Sequence, residues 1–278
     1  MNISKSINVS GRLFSFDHPR VMGILNVTAD SFYSNSRVMD ADDILNRADK
    51  MLREGADILD IGGYSSRPNA KEVPIKEEIR RTSQAIDLIK SHFPKALISI
   101  DTFRSEVAEN ALRAGAVIVN DISAGMLDTK MIDFITANQV PYIAMHMRGN
   151  PQNMQKLTEY TDIIPEILFY FSKLMERLRG KGHTDLIIDP GFGFAKTREQ
   201  NFEILSNLEF FKNLESIILV GLSRKSMIYK TLDTNPSEAL NGTTVLNTLA
   251  LSKGADILRV HDVLPAVEAI KLTAKTLN

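Results

Sequence analysis

The sequence predicts an α/β chain, a (β/α)8 TIM barrel preceded by an N-terminal β-hairpin. Three observations predict it. Eight short runs rich in Ile, Val and Leu recur along the chain, mostly without alternation, as in strands buried on both faces of a parallel sheet. Stretches with helical apolar spacing separate them. From Val21 onward the repeat is about 32 residues, the size of a βαβ unit.

Residues 3–17 read as the hairpin, with INVS and LFSF flanking the turn pair Gly11-Arg12. The eight strand candidates are VMGILNV (21–27), DILDIGG (57–63), ALISID (96–101), AVIVND (116–121), PYIAMH (141–146), DLIIDP (185–190), IILVGLS (217–223) and DILRVH (256–261). Residues 41–52 and 163–178 carry apolar stripes at i, i+3, i+4, i+7, and 104–114, 128–138, 198–212, 237–253 and 262–276 do so less cleanly. Gly55, Gly115, Gly182 and Gly254 each fall between a helix and the next strand, where a left-handed cap is wanted. No Pro/Gly/Ser linker or low-complexity segment interrupts the series. Residues 1–278 therefore read as a single domain, with 1–20 as the N-terminal hairpin. An open doubly wound sheet is the alternative, but no G-x-G-x-x-G follows the first run.

Composition narrows the function. The 278 residues contain no cysteine, which removes disulfides, thiolate metal sites and cysteine nucleophiles. Lys and Arg total 33 and Asp and Glu 34, a balance unlike that of a nucleic-acid binder. No run approaches the ~18 apolar residues of a membrane span, and MNISKSINVSGRLFSF lacks a signal-peptide core. A cytoplasmic protein is the expectation.

In a (β/α)8 barrel the chemistry sits at the C-terminal ends of the strands. Here those ends carry Asn26 (then Asp30), Gly62-Gly63 (then Ser66-Arg67), Asp101, Asn120-Asp121, His146, Asp189, Ser223-Arg224-Lys225 and Arg259-x-His261. Any one of them alone reads equally well as a cap or solvated loop residue. All eight together do not, because caps do not call for Arg67, Lys225, Arg259 and His261 beside three carboxylates. Asp101, Asn120, Asp189 and Lys225 offer the acceptors and donors that a flat nitrogen heterocycle needs. Arg67, Arg259 and His261 suit an anion, phosphate above all. A polyphosphate usually brings Mg²⁺, for which Asn26 and Asp30 are the nearest oxygen ligands, although an Asx turn explains that pair equally well. His18, His92 and His183 read as surface residues and His146 as a packing residue. Lys196 and Lys225 favour a ligand-facing loop at Gly191 and Gly193 over a simple tight turn.

The motifs ILNVTADSF (24–32), DIGGYSSRPNA (60–70), SIDTFRSEVA (99–108), NDISAG (120–125), DPGFGFAKT (189–197), GLSRKS (221–226) and RVHDV (259–263) resemble, in order, those of the dihydropteroate synthase family of folate biosynthesis. The hairpin resembles that family's barrel plug. The resemblance implies condensation of a hydroxymethyl-dihydropterin pyrophosphate with p-aminobenzoate, a homodimer and a requirement for Mg²⁺. It implies a pterin pocket of Asp101, Asn120, Met145, Asp189, Gly221 and Lys225. It implies a pyrophosphate site of Asn26, Arg67, Arg259 and His261, with metal at Asn26 and Asp30. For p-aminobenzoate it implies Phe32, Ser66, Arg67, Pro68, Phe194, Lys225 and Ser226. Asp101, Asp189, Lys225, Arg259 and His261 would carry catalysis. The chain departs from the family pattern at Ala29, Asn35-Ser36, Ser66 and Asn69, none of which removes a charge. A pterin-dependent methyltransferase and a catalytically dead pterin-binding barrel are the competing readings. Neither needs the anion site.

Overall fold

A computed structural model describes residues 5–27, 41–65 and 72–276 of the chain. All eight apolar runs form strands. β1 (Ser6–Val9) and β2 (Arg12–Ser15) make the antiparallel hairpin. β3 (Arg20–Asn26), β4 (Ile58–Gly62), β5 (Leu97–Asp101), β6 (Ile118–Asp121), β7 (Tyr142–Met145), β8 (Leu186–Asp189), β9 (Ile217–Val220) and β10 (Ile257–Val260) close into one parallel barrel in sequence order, with β10 beside β3. The described α-helices are α1 (Ala41–Glu54), α2 (Ile75–His92), α3 (Ser105–Arg113), α4 (Met131–Asn138), α5 (Ile163–Arg179), α6 (Arg198–Ser206), α7 (Ser226–Tyr229), α8 (Leu240–Ser252) and α9 (Val263–Thr273). This is the (β/α)8 barrel expected.

Side-chain alternation divides the core in two. Outward residues such as Leu59, Ile61, Ile98, Val119, Ile188 and Leu258 pack under the helices. Inward residues at the N-terminal mouth, including Met22, Ile58, Ile118, Ile143, Ile187 and Ile257, form a second cluster with Ile7, Val9 and Phe16 of the hairpin. The hairpin thus plugs the barrel's lower end. Ile7 is fully buried there, so Ile7→Ala should destabilise the fold by about 2–5 kcal/mol. The check is a lower urea midpoint at unchanged m-value, with turnover retained below the transition.

Two local expectations need correction. The hairpin turn is Ser10-Gly11 rather than Gly11-Arg12: both have positive φ (50° and 81°), Val9 pairs with Arg12, and Arg12 opens β2. A two-residue turn with both central φ positive matches the twist of the flanking strands. The stretch 198–212 is not one helix; it breaks after Ser206 and continues as a 3₁₀ turn over Leu208–Leu214. Besides the single turn of α7, one long helix has no counterpart among the stretches read from apolar spacing, α2. Its inner face carries Glu78 and Thr82 beside Ala85, Ile86 and Ile89, and those buried polar residues interrupt the apolar stripe. The four glycines do take positive φ, from 73° at Gly182 to 111° at Gly115.

Candidate active site

Along each strand the inward positions change from apolar at the plugged end to polar at the open end. β4 runs Ile58, Asp60, Gly62; β5 runs Leu97, Ser99, Asp101; β10 runs Ile257, Arg259, followed by His261. Parallel pairing brings these positions level, Asp60 opposite Ser99 and Asp101 opposite Asn120.

Asp60 is the buried centre of this layer. It accepts hydrogen bonds from Ser99 Oγ (2.5 Å), Asn120 Nδ2 (3.0 Å) and Arg259 Nε (2.6 Å). Arg259 Nη2 then reaches Asp101 Oδ2 at 2.6 Å. The heterocycle set and the anion set, separate in the sequence reading, are therefore joined through Arg259. Asp60 was missed as a site residue, although a carboxylate at an inward strand position survives burial only when paired.

On the neighbouring wall, Asp189 is fixed by the Gly191 amide (2.8 Å), and Lys225 Nζ donates to the Phe192 carbonyl while lying 5.0 Å from the centroid of the Phe194 ring. Met145 belongs to an apolar wall with Ile122, Met147, Met154 and Ala195, against which Phe103 and Phe194 pack. Asn26 ends β3; a β-carbon on Gly62 would stand 3.1 Å from Asn26 Oδ1 and 3.7 Å from Asp101 Oδ2, so these two oxygens converge over the same position. Gly221 follows β9, and the exposed Ser226 opens α7.

His261 is held by Ser223, whose Oγ lies 3.0 Å from its Nδ1 and accepts from its backbone N–H at 3.2 Å. Between Ser223 and Lys225, Arg224 takes a left-handed conformation (φ 54°) and grips Asp262 through two bonds of 2.8 and 2.9 Å. One ion pair thus ties the loop bearing Lys225 to the loop bearing His261. Asp121 faces outward and accepts from Ser123, Gly125 and Tyr142, as a capping residue does. Asp30, Phe32, Ser66, Arg67 and Pro68 lie outside the described residues, as do Ala29, Asn35, Ser36 and Asn69.

Burial sets the electrostatics. It lifts the Asp101 carboxyl to about 7 against the pull of Arg259, with Asp60 and Glu78 adding to the rise. It raises Asp189 against Lys225. It lowers Lys225 to about 8 despite Asp189. For Arg259 burial works against the charge, yet Asp60 and Asp101 outweigh it and its pKa stands above the ordinary value.

Two minor expectations change. Lys196 does not face a ligand: its Nζ is buried beneath the 190–195 loop. His183 is not a surface residue; it is buried behind α5, its backbone amide bonded to the Leu178 carbonyl at 3.0 Å. His18 and His92 are exposed, and His146 packs edge-on to Tyr170 as a core residue.

The model of the family described as pterin binding enzyme matches residues 22–261. The chain belongs to that family. It is 45% identical over 246 residues to the dihydropteroate synthase of Synechocystis sp. (strain ATCC 27184 / PCC 6803 / Kazusa), covering 87% of this chain and 85% of that one. A solved dihydropteroate synthase of Yersinia pestis in complex with a sulfonamide drug superposes with a TM-score of 0.91 at 35% identity, covering 98% and 99% of the two chains. The Xanthomonas albilineans dihydropteroate synthase with 4-aminobenzoic acid gives 0.91 at 34%, covering 99% and 98%. In this pterin-binding enzyme the described open mouth offers two carboxylates, a carboxamide and an ammonium around one space, walled by Met145 and Phe194. That set can hold a flat heterocycle edge-on and oppose a positive charge forming beside it.

Proposed function

We infer that the chain is a dihydropteroate synthase, condensing 6-hydroxymethyl-7,8-dihydropterin pyrophosphate with p-aminobenzoate to give 7,8-dihydropteroate and pyrophosphate. The observation that carries this reading is the convergence of Asp101, Asn120, Asp189 and Lys225 on one cup, with Arg259 bonded into its edge. The Xanthomonas and Yersinia enzymes, which bind 4-aminobenzoic acid and a sulfonamide, support the second substrate.

Asp189 and Asn120 orient the pterin by its amino and ring N–H groups, and Lys225 donates to its acceptor edge. The C–O bond to the pterin methylene breaks, and its electron pair leaves with pyrophosphate. Electron release from the ring and the nearby carboxylates stabilise the cation that develops, and no protein nucleophile is required. The arylamine nitrogen then bonds to the methylene and loses a proton. Arg259 and His261, with Arg67, would receive the departing anion. Magnesium keeps several waters and substrate oxygens, so a single carboxamide oxygen such as Asn26 Oδ1 fits as its protein ligand, with Asp30 the second candidate. When bound, the ion supplies positive charge to the leaving group.

The test is pyrophosphate release coupled to dihydropteroate formation, with Mg²⁺ and p-aminobenzoate. Turnover dependent on p-aminobenzoate is expected, with sulfonamides competing against it. Pterin binding without pyrophosphate release would overturn the reading. The same reading carries a cytoplasmic location; among the described residues no helix is long and apolar enough to cross a membrane. It also carries a homodimer. Val245 and Leu249 on α8 and Leu264 and Leu272 on α9 are exposed, an apolar face of the kind that marks protein–protein contact. Leu249→Glu should shift the chain from dimer to monomer in sedimentation; an unchanged mass would clear this face.

A further inference from the structure

We propose that Lys196 is a positioning residue for the pterin cup, a buried ammonium that holds the loop between β8 and α6 in the shape that fixes Asp189 and Lys225. The inference rests on the synthase reading of that cup.

Lys196 is 4% exposed, and no carboxylate lies within ion-pair distance of it among the described residues. Its Nζ instead donates to the carbonyls of Phe194 (2.9 Å), Gly191 (3.0 Å) and His146 (3.2 Å), and sits 3.1 Å from His146 Nδ1. Three carbonyl acceptors call for three N–H donors, which the ammonium supplies and a neutral amine does not. Burial, with Lys225 and Arg148, pulls its pKa well below the ordinary lysine value against Asp189, so the three carbonyl acceptors are what favour the charged form here.

Two of the caged carbonyls, those of Gly191 and Phe194, belong to the segment that builds one wall of the cup, and the third, of His146, lies at the end of β7. Gly191 gives its amide to Asp189 Oδ1 and its carbonyl to Lys196. Phe192 gives its carbonyl to Lys225 Nζ, and the Phe194 ring lies beside the same ammonium. The loop is pressed against the end of β7 at its base: a β-carbon on Gly191 would fall 2.1 Å from the His146 carbonyl oxygen. Elsewhere the loop is tied by the Gly193 amide to Asn201 Oδ1 (2.6 Å), by Gln155 Nε2 to the Gly193 carbonyl (3.2 Å) and by Tyr160 Oη to the Ala195 carbonyl (3.0 Å). Without the ammonium, three carbonyls face one another in an apolar surround, and the loop has reason to open. Opening would release the Phe192 carbonyl from Lys225 and the Gly191 amide from Asp189 together.

The test is steady-state kinetics of Lys196→Met, with circular dichroism to report the fold. A folded variant whose KM for the pterin pyrophosphate rises at least tenfold, with kcat changed less than threefold, is the expected result. A role in stability alone would lower the active fraction, and so kcat, without moving KM. Because the chain has no cysteine, Lys196→Cys introduces its only thiol. Alkylation of that thiol with 2-bromoethylamine in denaturant, followed by refolding, rebuilds an ammonium of nearly lysine length. KM should return to within threefold of wild-type chain carried through the same cycle, whereas a neutral iodoacetamide adduct should not restore it. An unchanged KM in Lys196→Met, loss of its secondary structure, or equal rescue by the neutral adduct would overturn the assignment. Wild-type chain without synthase turnover would instead overturn the functional reading on which it rests.

Discussion

Arg259→Ala should lower turnover by about 10²–10³-fold while leaving pterin binding measurable. The size of the loss follows from the place of the guanidinium, bonded to Asp60 and Asp101 at once and level with the space where charge develops. Removing it also takes away the chief influence that lowers the Asp101 pKa, already raised to about 7 by burial. At neutral pH the variant then loses both a donor to the departing anion and much of the carboxylate charge opposite the cation. Stability should fall as well, by about 3–5 kcal/mol where the orphaned carboxylates remain ionised. A carboxyl whose folded pKa is raised favours the protonated folded state. Its contribution to stability is therefore fully present below the unfolded pKa near 3.8 and is lost as pH rises through about 7 and, in the variant, beyond. The melting temperature of Arg259→Ala should accordingly approach that of wild type at pH 5 and fall furthest behind at pH 8. A deficit that does not vary with pH would break the link between Arg259 and the Asp101 carboxyl.

The barrel was legible because its signals are local. Eight β-rich runs and four glycines at helix ends need no knowledge of distant contacts, and the strand ends locate the mouth once the barrel is granted. What escaped was set by contacts across the barrel. α2 was missed because Glu78 faces inward, where it meets Thr102 (2.8 Å) and Arg104 (2.8 Å), partners lying on the next strand-to-helix loop. Asp60 was passed over inside ILDIG because its partners, Ser99, Asn120 and Arg259, come from three other strands. Arg259 was grouped with anion ligands on charge alone, whereas barrel closure sets it against Asp60, 199 residues earlier in the chain. Lys196 looked like a ligand-facing lysine because sequence gives no inside to a loop.

Lys225→Met should weaken pterin binding by roughly 30- to 5,000-fold, the range for truncating one partner of a buried charged pair. Lys225 faces Asp189, Arg259 and Asp101, and burial lowers its pKa to about 8. If its ammonium is the donor to the pterin, wild-type kcat/KM should rise as Asp101 ionises through about 7 and decline above about 8, since that profile follows the free enzyme. The same residue pulls stability the other way. A lysine whose folded pKa lies below its unfolded value near 10.5 is unfavourable to the fold while charged in both states, and that penalty is relieved as pH rises from about 8 to 10.5. Activity and the Lys225 contribution to stability should therefore move in opposite directions across this window. Alkaline unfolding would lower both together, so the comparison separates the two. In Lys225→Met the residual pterin affinity should lose its decline above pH 8, and its melting temperature should gain least on wild type at pH 10 and most at pH 7. A basic limb that persists unchanged in the variant would assign the titration to another group and remove Lys225 from the role of donor.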